Sequence, residues 1–307
     1  MQEFHAQVIA AYGRHLTVRD EHGKLRAARP FGRRLNIVCG DRVRCQDDAH
    51  HSQVHVVEIL PRRSALSRST LRGAAEPIVA NLDLVVAVMA VTPQPDPFII
   101  DRYLCAASSA GMRALVLVNK MDLLGPETDR SALEGVLEAY RSAGYDTLCC
   151  SSVSPESQSA LIAKLQGMTS VFVGQSGVGK SSLIAAVVPD VEIVVGELDR
   201  DYEGRHTTTA SRLYDLPGGG AVIDSPGVRD YAPAVTDLEP RSLGFPEIDR
   251  LATGCRFLDC QHLREPHCAV RAAVENSELD ARRYESYRRL RRLHGELLQA
   301  KGPARRS

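Results

Sequence analysis

Three short motifs, each directly after an apolar run, restrict the fold of this chain most strongly. The motifs occupy 119–122, 174–181 and 224–227, and the apolar runs before them occupy 115–118, 171–173 and 221–223. Continuous apolar runs of this length, including the longer run 84–91, are typical of parallel strands buried on both faces. Helical apolar spacing at 98–111 and 131–144 alternates with these runs. The alternation predicts an α/β architecture.

The middle motif matches GxxxxGK[ST], the pattern of a phosphate-binding loop, and has the required strand before it and helix after it. Its glycines allow backbone N–H groups to converge on phosphates at a helix N-terminus. We expect Lys180 to reach the β- and γ-phosphates and the Ser181 hydroxyl to bind Mg²⁺. The residues predicted to bind nucleotide here are Gly174, Gln175, Ser176, Gly177, Val178, Gly179, Lys180, Ser181 and Ser182.

The first motif, Asn-Lys-Met-Asp at 119–122, predicts which base is bound. A carboxylate at Asp122 can accept hydrogen bonds from the N1–H and amino group of guanine, a donor pair that adenine lacks. Lys120 is expected to lie along the base, and Asn119 to tie this segment to the phosphate loop. Ser151 and Ser152 follow another apolar stretch and fit a small loop whose backbone contacts the guanine oxygen.

The third motif, Asp-Ser-Pro-Gly at 224–227, predicts the magnesium side of the same site. We expect Asp224 to hold Mg²⁺ through a water molecule and the Gly227 N–H to contact the γ-phosphate. The run 204–209 carries three threonines, one of which can complete the Mg²⁺ shell only while GTP is bound, so this run is interpreted as a switch. Thr208 is the predicted ligand, and Thr207 and Thr209 remain alternatives.

Val228 stands directly after the third motif, where Ras-type enzymes have a glutamine that orients water. Because valine cannot orient water, intrinsic hydrolysis is expected to be slow. His206 from the switch is the candidate that completes the site once a partner has ordered it. The predicted catalytic set is therefore His206, Lys180 and Thr208.

The order of the motifs is informative in itself. Ras-type GTPases carry the phosphate loop first, the Asp-x-x-Gly motif second and the Asn-Lys-x-Asp motif last, whereas here the last of these comes first. The order indicates a circularly permuted GTPase domain. It also makes the segment after 227 run directly into the C-terminal region, while the N-terminal region precedes the first strand.

A second candidate site lies after residue 250. Cys255, Cys260, His262 and Cys268 place three thiols and one imidazole within a short segment, a full tetrahedral set that is typical of structural Zn²⁺. His267 is an alternative imidazole that we rank below His262. The remaining cysteines are scattered, which favours a reducing cytoplasm over a disulfide framework.

The two ends of the chain differ from its centre. Short strands are predicted at 7–11, 16–19, 35–38, 42–45 and 53–59, which fits a small barrel of the OB type, and 62–76 is interpreted as a linker. The C-terminal helices carry arginines that are candidate phosphate contacts, at 282, 283, 288, 289, 291 and 292. Residues 1–63 carry 11 Lys/Arg against 7 Asp/Glu and residues 264–307 carry 11 against 6, although the net charge of the whole chain is zero. Basic ends around an acidic centre suggest a polyanionic partner.

We therefore expect a multidomain chain: an all-β OB-type barrel over 1–65, a circularly permuted α/β P-loop GTPase domain over 66–235, and a mainly helical zinc-binding domain over 236–307. The longest apolar run is far too short to cross a membrane, and the N-terminus has no pattern of a secretory leader. We expect a cytoplasmic monomer.

These motifs together resemble the small-ribosomal-subunit-dependent, circularly permuted GTPases of bacteria. The resemblance rests on 174–182, 204–209, 224–228 and the cysteine cluster that continues into Ala269-Val270, and it covers nearly the whole chain. It implies a late assembly factor that binds ribosomal RNA, whose GTPase is stimulated by the small subunit and whose nucleotide state controls release. Two rivals stay open: a GTP-dependent RNA-binding scaffold in which hydrolysis is incidental, and a P-loop ATPase or kinase, against which Asp122 argues.

Overall fold

A computed structural model of the chain describes residues 3–32, 35–48, 53–69, 75–125, 127–188, 211–229 and 233–300. The N-terminal strands are β1 (Glu3–Tyr12), β2 (His15–Asp20), β3 (Leu25–Pro30), β4 (Arg42–Asp48) and β5 (Gln53–Ile59). They pair in the order β1-β2-β3-β5-β4, and β4 also pairs with β1, which closes a barrel. Alternate side chains such as Val8, Val18 and Val56 fill its interior. The predicted OB-type barrel is confirmed.

One of the predicted barrel strands is wrong. Ile37 and Val38 are buried and Leu35 is half-buried, but residues 35–38 do not form a strand, and the third strand is β3 instead. The Val38 N–H donates to the Asp41 carboxylate (2.9 Å) rather than to a neighbouring strand. Arg62 in turn donates to both oxygens of Asp41, at 2.6 and 2.8 Å. Ile37 therefore packs in the barrel core as part of a loop, and the buried Asp41 carboxylate accepts a hydrogen bond from this loop.

The segment interpreted as a linker is also structured where it is described, at 62–69 and 75–76. It contains β6 (Ala65–Ser69) and the first two residues of β7 (Ala75–Ala80), and these two strands pair antiparallel. Leu66 and Val79 are buried, whereas Arg68 and Glu76 form an ion pair at 3.0 Å on the exposed side. The polar composition reflects this exposed side and is not evidence of an unstructured linker.

Among the described residues, six strands form the central sheet: β8 (Leu84–Ala90), β9 (Arg113–Asn119), β10 (Asp146–Cys149), β11 (Thr169–Gly174), β12 (Ser211–Asp215) and β13 (Ala221–Asp224). Their order is β10-β9-β8-β11-β13-β12, and all neighbours are parallel except β12 and β13. β12 also pairs antiparallel with β1, so hydrogen bonding continues from the barrel into the central sheet.

Helices cover both faces of the central sheet: α1 (Pro97–Ser109), α2 (Glu127–Ser142), α3 (Pro155–Leu165), α4 (Lys180–Val187) and the short α5 (Pro226–Arg229). Every residue of β8 is buried, and alternate residues belong to two different apolar clusters. One cluster includes Ile100 of α1, and the other includes Leu183 of α4. This two-sided burial explains the continuous apolar runs and confirms the α/β prediction.

The C-terminal region is helical, with α6 (Pro246–Ala252), α7 (Ala269–Glu275) and α8 (Ala281–Ala300). Tyr287 and Leu290 of α8 are buried, and the Tyr287 ring meets the Phe245 ring edge-on at 5.7 Å. Arg283 is also buried, at 1% exposure, so the interpretation of this arginine as a phosphate contact is wrong. None of the helices within the described ranges is long and apolar enough to cross a membrane.

Candidate functional site

The three nucleotide motifs meet at one edge of the central sheet. Asn119 ends β9, Gly174 ends β11 and Asp224 ends β13, and all three strands run in the same direction. Strand β8 lies between β9 and β11, and it pairs its Ala90 with Asn119 and its Val88 with Gly174. Because ligands of α/β proteins bind at the carboxyl ends of parallel strands, this edge is the candidate nucleotide site.

The phosphate loop connects β11 to α4 and requires glycine at both of its ends. Gly174 has φ +151°, and a Cβ atom there would lie 2.2 Å from the Val88 carbonyl oxygen. Gly179 has φ +91°, and a Cβ atom there would lie 2.4 Å from Asn119 Nδ2. A side chain at either position would separate the loop from its neighbours.

Lys180 is the first residue of α4 and is largely buried. Its ammonium group donates to the carbonyl oxygens of Gly174 and Gln175, both at 2.7 Å. These contacts bend the loop around the lysine, so that the charge lies at the helix N-terminus, where phosphate binding is favoured. Ser176, Gly177, Ser181 and Ser182 are exposed at the mouth of the loop, whereas Val178 is buried beneath it.

The Asn-Lys-x-Asp segment is joined to the phosphate loop by side-chain contacts. The buried Asn119 donates from Nδ2 to the Val178 carbonyl at 2.9 Å. Lys120, with φ +62°, donates to the carbonyl oxygens of Gly177 (2.7 Å) and Thr92 (2.9 Å). The two motifs therefore form one continuous surface.

The residues predicted to read guanine also contact each other. The Ser151 hydroxyl donates to the carboxylate of Asp122, and the Met121 N–H donates to the Cys150 carbonyl at 3.2 Å. Asp122 is exposed, while Ser151 is buried and Ser152 is half-buried. The carboxylate is held by one hydroxyl donor and keeps acceptor capacity for the two donors of guanine.

The residue predicted to hold Mg²⁺ through water, Asp224, lies at the end of β13. Asp224 is half-buried there, and the hydroxyl groups of Ser225 and Ser211 lie 2.7 Å apart. A Cβ atom on Gly227 would lie 2.8 Å from Ile78 Cγ2 of β7. Val228 is 1% exposed and packs in the core, so its side chain does not face the nucleotide. The switch residues His206, Thr207, Thr208 and Thr209 lie outside the described residues, and their roles stay predictions.

The four residues predicted to bind metal come together between α6 and α7. The ligand atoms of Cys255, Cys260, His262 and Cys268 all lie within 4.8 Å of one another. His262 Nδ1 is 3.5 Å from the Sγ atoms of Cys255 and Cys268, and those two sulfurs are 3.9 Å apart. Metal–sulfur and metal–nitrogen bonds of about 2.3 and 2.0 Å in a tetrahedron give edges of about 3.8 and 3.5 Å. The donor set therefore fits one tetrahedral metal ion; the alternative ligand His267 is exposed and lies outside it.

Burial affects the protonation of the Cys260 thiol and of the His262 imidazole in this cluster. Burial raises the pKa of the Cys260 thiol to about 12 and lowers the pKa of His262, which favours the neutral imidazole. A thiolate at Cys260 thus requires a positive charge beside it, and metal binding would release protons. The segment that carries the ligands is fastened to α8, since the Tyr284 hydroxyl donates to the His262 carbonyl at 2.6 Å.

Two further contacts around the site were not anticipated from the sequence. The Gln175 side chain accepts a hydrogen bond from the Asp96 N–H (3.1 Å), and Asp101 of α1 forms buried ion pairs with α8. The only available signal was Asp101 itself, a carboxylate on an otherwise apolar helix face. Its partner Arg283 is 182 residues away and cannot be identified from spacing.

The family model for RsgA GTPase matches residues 59–233. Relatives named "Small ribosomal subunit biogenesis GTPase RsgA" include the Chromohalobacter salexigens protein, 44% identical over 92% of this chain and 84% of the relative. The Ectopseudomonas mendocina protein of the same name is 42% identical over 92% of this chain and 83% of the relative.

Solved structures give the same result. YjeQ from Thermotoga maritima has a TM-score of 0.74 and 31% identity, covering 97% of this chain and 99% of the other. YloQ, described as a circularly permuted GTPase, has a TM-score of 0.74 and 28% identity, covering 96% of each chain. The permutation indicated by the motif order is confirmed, and the chain belongs to the RsgA GTPase family.

Proposed function

We propose that this protein is a GTPase that acts in late assembly of the small ribosomal subunit. It hydrolyses GTP to GDP and phosphate, and its nucleotide state controls its release from the subunit. One observation carries the enzymatic part: motifs that are distant in the sequence form one site, closed by contacts of Asn119 and Lys120 with the phosphate loop. The ribosomal part is supported by the name of the relatives, which share more than 40% identity over most of the chain.

Each motif has a distinct role in this proposal. Asp122 reads the guanine, assisted by Ser151 and the adjacent Ser152. Lys180 neutralises the β- and γ-phosphates, and the backbone N–H groups of the phosphate loop surround them. The groups that would hold Mg²⁺ are the hydroxyl of Ser181, the carboxylate of Asp224 through a water molecule, and the hydroxyl of Thr208 in the GTP-bound state.

The residue after Gly227 is the reason we expect the small subunit to activate GTP hydrolysis. Val228 is buried and apolar, so it does not orient an attacking water. We propose that docking on the subunit orders the switch and brings His206 to that task. The same observation is what favours the alternative function, a GTP-dependent RNA-binding scaffold in which hydrolysis is incidental.

The ion at the cysteine cluster is proposed to be Zn²⁺ with a structural role. Three thiolates and one imidazole complete four-coordination and leave no open position for substrate. In this proposal residues 1–65 and 236–307 flank the GTPase domain 66–235 and bind ribosomal RNA through their excess of basic residues. The protein acts as a cytoplasmic monomer.

The test is GTP hydrolysis by the purified protein, with and without small ribosomal subunits, with large subunits as the matched control. We expect small subunits alone to raise the turnover rate by an order of magnitude or more, as partners that complete GTPase sites do. Lys180→Ala should abolish the stimulated rate. Binding to small subunits that depends on nucleotide but brings no rise in turnover would support the scaffold. No binding to small subunits would refute the ribosomal assignment.

A further inference from the structure

Helix α1 lies between the phosphate loop and the C-terminal helices. At its N-terminus, Asp96 caps the helix, because its side chain accepts from the Phe98 N–H at 2.9 Å. The backbone N–H of the same residue donates to Gln175 Oε1 at 3.1 Å. One side chain of the phosphate loop is therefore bonded to the capping residue of α1.

The same helix is bound to the C-terminal helices by buried charges. Asp101 is 1% exposed and accepts from Arg283 Nη1 at 2.6 Å and from Arg282 Nη1 at 2.9 Å. Arg283 also donates from Nε to Glu247 of α6 at 2.7 Å. Burial disfavours its charge, but Asp101 and Glu247 outweigh that effect and raise the pKa of Arg283 well above its usual range.

Further contacts fix α1 along its length. A Cβ atom on Gly244 would lie 2.4 Å from the Cys105 carbonyl, so the segment before α6 touches the helix backbone. The Glu239 N–H donates to the Ser109 hydroxyl at 3.2 Å. Asp96, the N-cap of α1, and Asp101 within α1 are five residues apart, which is about 7.5 Å along the axis of this helix.

We propose that α1 couples the C-terminal helices to the nucleotide site, with Gln175 as the positioning residue at the phosphate loop. The Gln175 carbonyl is one of the two that hold Lys180, so a shift of this residue changes the position of the lysine as well as that of the loop. A displacement of α8 moves Asp101 through its ion pairs with Arg282 and Arg283. Movement of α1 then shifts Asp96 and, through its hydrogen bond, Gln175. The inference rests on nucleotide binding at the phosphate loop, and it adds the route by which events at the C-terminal helices alter nucleotide affinity.

A double-mutant cycle on the full chain tests the coupling. The variants are Gln175→Met, which keeps the length of the side chain without its acceptor, Arg282→Gln, and the two combined. Arg282 is suited to this because it is 28% exposed and leaves the pair between Asp101 and Arg283 in place. Arg289→Gln is the matched control, since this arginine of the same helix pairs with Glu285 at 3.2 Å. The readout is the dissociation constant of a fluorescent GDP analogue, with thermal unfolding measured alongside.

We expect Gln175→Met to weaken GDP binding by about 2- to 12-fold, the effect of one net hydrogen bond. Arg282→Gln should weaken binding at least about twofold while Arg289→Gln leaves it unchanged, and the combined variant should bind no more weakly than Gln175→Met. The coupling is refuted if the two single effects multiply in the combined variant, or if Arg282→Gln binds GDP like the wild type. Failure of the wild type to bind GDP would instead refute the proposed function.

Discussion

Gly179 joins the phosphate loop to α4, and replacing it by alanine tests how the two nucleotide motifs are held together. The residue has φ +91°, and the new Cβ would lie 2.4 Å from Asn119 Nδ2, far inside van der Waals contact. Since Asn119 is fully buried and donates to the Val178 carbonyl, it has no free space into which to move. The alanine therefore strains the loop and breaks the contact between the motifs.

The expected loss of GDP affinity in Gly179→Ala follows from the backbone strain and the lost hydrogen bond. A left-handed backbone costs an alanine roughly 1–2 kcal/mol, and loss of a hydrogen bond costs about 0.5–1.5 kcal/mol. If about 1.5–3 kcal/mol of this cost destabilises the loop conformation that binds nucleotide, GDP affinity falls by roughly 10- to 150-fold.

The assay is equilibrium titration with a fluorescent GDP analogue, together with thermal unfolding. Gly135→Ala is the matched control, because this glycine is exposed within α2 and a Cβ atom there has no neighbour within 4 Å. It should leave affinity unchanged and stabilise the helix by up to about 1 kcal/mol. If Gly179→Ala bound GDP as tightly as Gly135→Ala, the account of the joined motifs would be wrong.

Three further results are expected. Cys260→Ser should lose the metal that we propose to be zinc, as measured by elemental analysis, and lower the unfolding temperature, whereas Cys149→Ser, at an exposed position, should do neither. Ser151→Ala should weaken GDP binding about 2- to 12-fold by removing the donor to the guanine-reading carboxylate, whereas Ser159→Ala on the outside of α3 should not, as judged by the same titration. Burial alone would raise the pKa of Glu239. The backbone N–H groups of Arg241 and Ser242 and the Ser242 hydroxyl donate hydrogen bonds to its carboxylate, and the net effect is a lowered pKa. The ionised Glu239 therefore stabilises the fold, and the difference in unfolding temperature between wild type and Glu239→Gln should reach its largest value above about pH 5. The difference should shrink as the pH falls below about 4 and the carboxylate protonates; a difference that grew in acid would contradict this.

The convergence of the three motifs at one sheet edge could be predicted from the sequence because their residues follow apolar strands and are constrained locally. Gly174 and Gly179 are required by backbone geometry, and Asn119 ends a strand wherever that strand is placed in the chain. Circular permutation changes the connections but leaves the strand ends at one edge. The metal cluster was predictable for a similar reason, since its four ligands lie within one short segment.

Other parts depend on contacts that spacing does not encode. The run 35–38 has the composition of a strand, but Asp41 and Arg62 hold it as a loop, and the charged β3 takes its place in the barrel. The hairpin β6–β7 is polar because one side of it is exposed. In the sequence, Arg283 cannot be distinguished from the exposed arginines of α8. Its ion pairs with Asp101 and Glu247 become apparent only in the folded structure.

The central claim is that three permuted motifs form one guanine-selective site, and nucleotide selection tests it most directly. Binding constants for GDP, ADP and XDP should be measured with the wild type and with Asp122→Asn. We predict that the wild type prefers GDP over ADP by at least about a hundredfold, the scale for a buried donor pair left unmatched. Asp122→Asn should lose most of its GDP affinity and gain affinity for XDP, because xanthine carries a carbonyl acceptor where guanine carries the amino donor. An unchanged preference for GDP in Asp122→Asn would contradict the account.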